Sequence, residues 1–177
     1  AVLDTLLFLA RDERGPAGQI DPRVFHAAFY YLDLFPERMH HPKEERYLFA
    51  AIRRKTSEAN EVLDALAADH ESGAQSIREL ERALVRCEAS DSKEWPAFAQ
   101  AIEQFVAGYR EHIRKEEQLV MPTARRVLSA QDWAEIEEQW STNQDPLAGT
   151  SAERDYDRLI GRIVELAPPP IGFGQAS

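Results

Sequence analysis

Histidine and glutamate recur four residues apart at two places in this chain: His112 with Glu116, and the pair His40-His41 with Glu44-Glu45. A third candidate, His70, stands alone between Ala68 and Ser72. A spacing of four sets an imidazole and a carboxylate one turn apart on one helix face, where both can converge on a single point. The apolar residues around them keep the same period. Phe98, Ile102, Phe105, Tyr109, His112, Glu116 and Val120 form one unbroken stripe, which predicts that His112 and Glu116 point into a core. Leu63, Leu66, His70, Ala74, Ile77 and Leu84 do the same for His70. Near Tyr47, Leu48, Ala51 and Ile52 the periodicity admits either histidine and either glutamate.

A single histidine on an apolar face reads as a hydrogen-bonded core residue. A buried glutamate is different, because it costs several kcal/mol unless it is paired or bound to a metal. Here two helices each bury one, four residues after a histidine. Imidazole and carboxylate donors suit iron, zinc or manganese, and with Cys87 the only cysteine no thiolate site is available. Two carboxylates able to bridge favour a dinuclear centre over a mononuclear one. The Glu-x-x-His motif of ferritin-type bundles occurs at Glu37 to His40 but lacks a second copy, so that arrangement is set aside. No nucleophile with its base and no phosphate loop is visible.

The elements that must position these residues are helices. Helix 1 is read from Ala1 to Arg14, stopped by Gly15-Pro16. Asp21-Pro22 opens helix 2, which Pro36 should interrupt before a continuation containing Pro42 runs to Lys55. Thr56-Ser57 caps helix 3, which extends to about Cys87; Asp91-Ser92 begins helix 4, ended or kinked near Pro122. Ser129 with Asp132 resembles a capping box for a helix to Ser141, and a last helix spans Ala152 to Leu166 before an extended or disordered tail at Pro168-Pro169-Pro170. This predicts an all-α, up-down-up-down four-helix bundle over 1–128, with 129–177 as a helical extension packed on it.

Composition narrows the partners. A chain of 177 residues is one ordinary domain, and 44% hydrophobic with 29% charged residues is the make-up of a folded, soluble protein. The net charge of −10 repels a phosphate backbone, which argues against nucleic acid. No apolar run approaches the roughly 20 residues of a membrane span, and no signal peptide is seen. With no cysteine pair to oxidise, a cytoplasmic setting is expected. The sequence opens at Ala1, without methionine and already inside a helical pattern, so native residues are expected before it.

The residues HHPKEERYLF at His40 to Phe49, ADHES at Ala68 to Ser72 and HIRKEEQLVMP at His112 to Pro122 resemble the hemerythrin-like proteins with the HHE cation-binding domain. In that family each His-x-x-x-Glu motif is followed by a second acid and then by a hydrophobic pair. His112 fits, with Glu117, Val120 and Met121, and the same phasing selects His40 and Glu44, with Glu45, Leu48 and Phe49. The resemblance implies a non-heme di-iron centre ligated by His40, Glu44, His70, His112 and Glu116, with an open position for dioxygen, nitric oxide or peroxide. The family also takes a histidine from helix 1; none is present there, and it is expected about five residues, a little over one turn, before Ala1. Oxygen carriers have a further histidine where this chain has Ala74, which argues against reversible oxygen carriage.

Three functions are open to such a chain: a di-iron protein that binds or senses such a ligand or handles iron, a di-iron enzyme that removes peroxide or nitric oxide, and a structural bundle with internally satisfied histidines. His26, Tyr30, Asp33 and Glu37 share another face and read as surface. Tyr47 and Tyr109 read as core aromatics, Cys87 as a small buried hydrophobe. The last two helices, with Trp133, Trp140, Leu159 and Ile163, are expected to cap the bundle or to form a homodimer face.

Overall fold

The computed structural model describes residues 2–12, 20–90, 93–141, 152–169 and 171–173, the side chains of 141 and 152–157 excepted. Among these residues helices are joined by turns and short loops, and there is no strand. Helix α1 is Val2–Ala10. Helix α2 is one continuous run over 23–55, and α3 is Asn60–Ala89. Helix α4 runs over 95–127, α5 is Ala130–Ser141 and α6 is Ala152–Leu166. The stop expected at Gly15-Pro16 and the start expected at Asp91-Ser92 lie outside the described residues.

The capping chemistry read from the sequence is present. Asp21 Oδ1 accepts from the Arg23 N–H at 2.9 Å, and Thr56 Oγ1 from the Glu58 N–H at 3.2 Å, the regular turns of α3 starting shortly after. Ser129 and Asp132 close a reciprocal box: the Ser129 N–H donates to Asp132 Oδ2 at 2.8 Å, and the Asp132 N–H donates to Ser129 Oγ at 3.2 Å. Lys55 Nζ lies 2.8 Å from the same carboxylate, tying the end of α2 to the start of α5.

The prolines behave otherwise than expected. Pro36 does not interrupt α2, and Pro122 does not end α4. The backbone widens to π-turns at Asp33–His40, Glu44–Phe49 and Glu116–Val120, and α-helix resumes after each. At the first, the His41 N–H donates to the Pro36 carbonyl, five residues back. The wider turn makes room for a ring that would clash with the carbonyl four residues before it. The described part of the tail, expected to be extended or disordered, turns back on the last helix. The Phe173 N–H donates to the Val164 carbonyl at 2.9 Å, and a Cβ at Gly172 would collide with that carbonyl.

Two apolar clusters hold the helices together. One joins α1, the first half of α2, the second half of α3, the first half of α4 and α6, around Phe25, Phe29 and Phe98, with Trp95 edge-on to Phe25 at 5.9 Å. Cys87 is a free thiol wholly buried in it, as expected. The other joins the end of α2, the start of α3 and the end of α4 to Ile136 of α5. The last two helices therefore pack on the same body, Ile163 in the first cluster and Trp133 and Trp140 against the second. Along each of α2, α3 and α4 one polar stretch separates the clusters: His41 and Glu44 before Leu48, His70 between Leu66 and Ile77, His112 between Val106 and Val120.

Candidate metal centre

That waist is where the chemistry gathers. His41, Glu44, His70 and His112 are all buried, and each offers one donor atom, these atoms lying within 4.8 Å of one another. Three helical runs supply them. The His41 and His70 rings stack, with centroids 4.0 Å apart and planes 9° from parallel. His70 Nε2 and His112 Nε2 face each other at 3.3 Å, and Glu116 Oε1 is 2.9 Å from His112 Nε2. Ligand atoms about 2.1 Å from one ion, at right angles to each other, would be about 3 Å apart, so these separations are those of neighbouring donors in a coordination shell.

The other ring nitrogen of each of these histidines is held by an acid. Glu37 Oε2 lies 3.3 Å from His41 Nδ1, Glu45 Oε1 2.8 Å from His70 Nδ1, and Asp69 Oδ2 3.3 Å from His112 Nδ1. An acid at Nδ1 fixes the tautomer with the proton on that side and leaves the Nε2 lone pair free to point inward. On the inner side two carboxylate oxygens, Glu44 Oε2 and Glu116 Oε1, are buried without a hydrogen-bond partner; the short approach of Glu116 to His112 lacks hydrogen-bond alignment. Orphaned oxygens and facing nitrogen lone pairs around one point are a set that a cation satisfies, and in this sense the residues fit a metal.

The titration behaviour has its origin in this crowding. Burial pushes the Glu44 carboxyl up, and neighbouring Glu116 adds to that. Burial also works against charge on Glu116, yet the adjacent His112 holds its carboxyl below the usual range. Burial and the nearby His41 lower His70, whereas at His112 burial is outweighed by Glu116 and Asp69, and its imidazole is raised. Tyr109 is pushed well above the ordinary phenol value by burial and by Glu37, Glu116 and Glu44, so its hydroxyl keeps its proton.

Of the residues read from the sequence, Glu44, His70 and His112 belong to the converging group and Glu116 touches it. His40 stands to one side, its side chain 47% exposed, with Nε2 3.3 Å from Glu44 Oε1 and its ring edge-on to Trp140. Its neighbour His41 is the one buried among the other histidines. Glu37, expected on the surface beside His26, has a side chain only 5% exposed. The π-turn at 33–40 is the cause: a turn wider than 3.6 residues rotates the residues beyond it about the helix axis, so the face counted from His26 no longer contains Glu37. His26 itself is exposed as expected, 3.8 Å from Glu88. The outer acid Asp69 had no signal beyond its place next to a candidate ligand, whereas Glu45 is the second acid of the motif and one of the two glutamates the periodicity admits.

No curated protein and no solved structure matches the chain. The family described as Hemerythrin HHE cation binding domain matches residues 2–124. No helix among the described residues is long and apolar enough to cross a membrane. With a match over more than half its length and a buried histidine and glutamate cluster able to hold a metal, the chain belongs to the hemerythrin HHE cation-binding domain family.

Proposed function

We propose that this protein holds a non-heme di-iron centre at the waist of an up-down-up-down bundle over 1–128, with 129–177 as its helical extension, and that it binds or senses dioxygen, nitric oxide or peroxide, or handles iron. The proposed ligands are His40, Glu44, His70, His112 and Glu116, with His41 as a further imidazole. The observation that carries this reading is the acid at Nδ1 of each buried histidine combined with orphaned carboxylate oxygens on the inner side. Glu44 and Glu116 come from different helical runs, so carboxylates reach the centre from two sides and can bridge two ions. Four imidazole nitrogens and two carboxylates with two oxygens each offer more donor atoms than the roughly six positions of one octahedral ion.

When bound, the iron pair supplies redox-active positions that a small ligand can occupy. The chain's own part is to orient the imidazoles through Glu37, Glu45 and Asp69, and to flank the site with the two apolar clusters. A di-iron enzyme removing peroxide or nitric oxide is the second reading. It is favoured by a cavity of about 240 Å³ that reaches His41 and His112 from the surface.

An absorption spectrum of the iron-loaded protein tests the proposal. Bands of an oxo-bridged di-ferric pair are expected, and their absence from a protein that has taken up iron would contradict it. Turnover of peroxide or nitric oxide by the same sample would move the function to the enzyme reading.

A further inference from the structure

The cavity beside the metal centre has an uneven lining. Its rim includes the exposed residues Gln104 and Gly108, and its floor the buried rings of His41 and His112. Two glycines in helix interiors border it, Gly73 on α3 and Gly108 on α4, where glycine costs roughly 0.5–1 kcal/mol relative to alanine. Each leaves a different space. A Cβ on Gly73 would fall on the Glu37 carboxyl, so the missing side chain is the seat of that acid. A Cβ on Gly108 would meet nothing within 4 Å, so there is room at this point of the rim for a larger side chain. Glu37 therefore occupies a made place, with its side chain 5% exposed, touching His41 and lining the same cavity as Tyr109.

We propose that this cavity is the path by which a small ligand reaches the metal centre, and that Glu37 within it selects a protic ligand of the hydroperoxide class, hydrogen peroxide being the simplest. The inference rests on the proposed metal centre and narrows its ligand. A buried carboxylate accepts hydrogen bonds and donates none, so it stabilises an entering O–H and offers nothing to an aprotic diatomic gas. One Glu37 oxygen contacts His41 Nδ1, leaving the second available to the cavity. The volume of about 240 Å³ is ample for a small molecule, so the chemistry of the lining, not its size, makes the selection.

The test compares the full chain with Gly108→Leu, Glu37→Gln and Gly73→Ala. Rapid mixing of the iron-loaded proteins with hydrogen peroxide or with nitric oxide gives the rate of the spectral change, and iron per chain is measured for each. In the metal-free proteins, carbethoxylation of His41 and His112 by diethyl pyrocarbonate is followed by peptide mass analysis. Gly108→Leu is expected to keep its iron, to slow both ligands about tenfold or more, and to protect both histidines from the reagent. Glu37→Gln and Gly73→Ala are expected to slow peroxide about tenfold, the loss of one charge-assisted hydrogen bond, and to change nitric oxide much less. Unchanged rates and unchanged labelling in Gly108→Leu would overturn the path. Equal slowing of both ligands in Glu37→Gln would overturn the selection and reduce Glu37 to an anchor for His41. A chain that takes up no iron would instead contradict the proposed centre, while the labelling of the metal-free protein still decides the path.

Discussion

His70 Nε2 and His112 Nε2 face each other across 3.3 Å while their Nδ1 atoms are engaged by Glu45 and Asp69. Two ring nitrogens whose protons are held on the far side present lone pairs to one another, an arrangement that is unfavourable until a proton or a cation lies between them. Removing one donor should therefore relieve the metal-free protein and harm the loaded one. His112→Ala and Glu116→Ala are expected to lose about half of the bound metal or more while staying helical, because the apolar clusters, not the metal, hold the bundle. Metal analysis beside far-ultraviolet circular dichroism checks this.

The two glycines at the cavity separate in stability as well as in function. Gly108→Ala meets open space and should stabilise the fold by roughly 0.5–1 kcal/mol with metal affinity unchanged. Gly73→Ala must displace the Glu37 carboxyl and so frees His41 Nδ1, with an expected loss of about tenfold in metal affinity, the lower end of what removing such an outer partner costs. Denaturant unfolding and competitive chelation measure the two effects.

Metal occupancy should fall with pH, since an imidazole ligates only when neutral. His112 is raised above the ordinary value of 6.5 because Glu116 and Asp69 outweigh burial, so protons begin to compete for it above that value. His70 is lowered, by burial first and His41 next, and gives up its lone pair only below 6.5. Occupancy is thus full on the alkaline side and lost as pH falls across a broad window on both sides of 6.5. Titration of bound metal by gel filtration and elemental analysis reads the window; a sharp loss confined to lower pH would remove His112 from the ligand set.

The contact between α2 and α5 should give the fold an acid-sensitive component. Lys55 first, and Ser129 next, hold the Asp132 carboxyl far below its ordinary value of 3.8. A depressed carboxylate contributes stability that is present above the unfolded value and lost as pH falls through the folded one. Asp132→Asn is expected to flatten the decline in unfolding free energy on the acid side while leaving the slope near neutrality alone, as read by urea titrations at several pH values.

Much of the fold and of the site is legible in the sequence because helical period and capping are local. The stripe through Phe98, Ile102, His112 and Val120 is buried as its period predicts, and the Ser129-Asp132 box closes as its spacing implies. The parts that escape the sequence depend on the π-turns. The pattern of the second acid and hydrophobic pair selects His40, whereas the wide turns on either side of His41 change the angular bookkeeping and place His41 among the other imidazoles. The same rotation takes Glu37 off the outer face that a regular period gives it. No residue type forces a π-turn, and all three lie on the stretches that carry the candidate donors or their partners.

The number and kind of ions held by the full chain bear most directly on the proposed centre. After reconstitution of the metal-free protein with ferrous iron under anaerobic conditions, removal of excess and elemental analysis, about two iron ions per chain are expected, because imidazoles and two facing carboxylates supply more donors than one ion uses. Saturation with one zinc ion per chain and refusal of iron would contradict it.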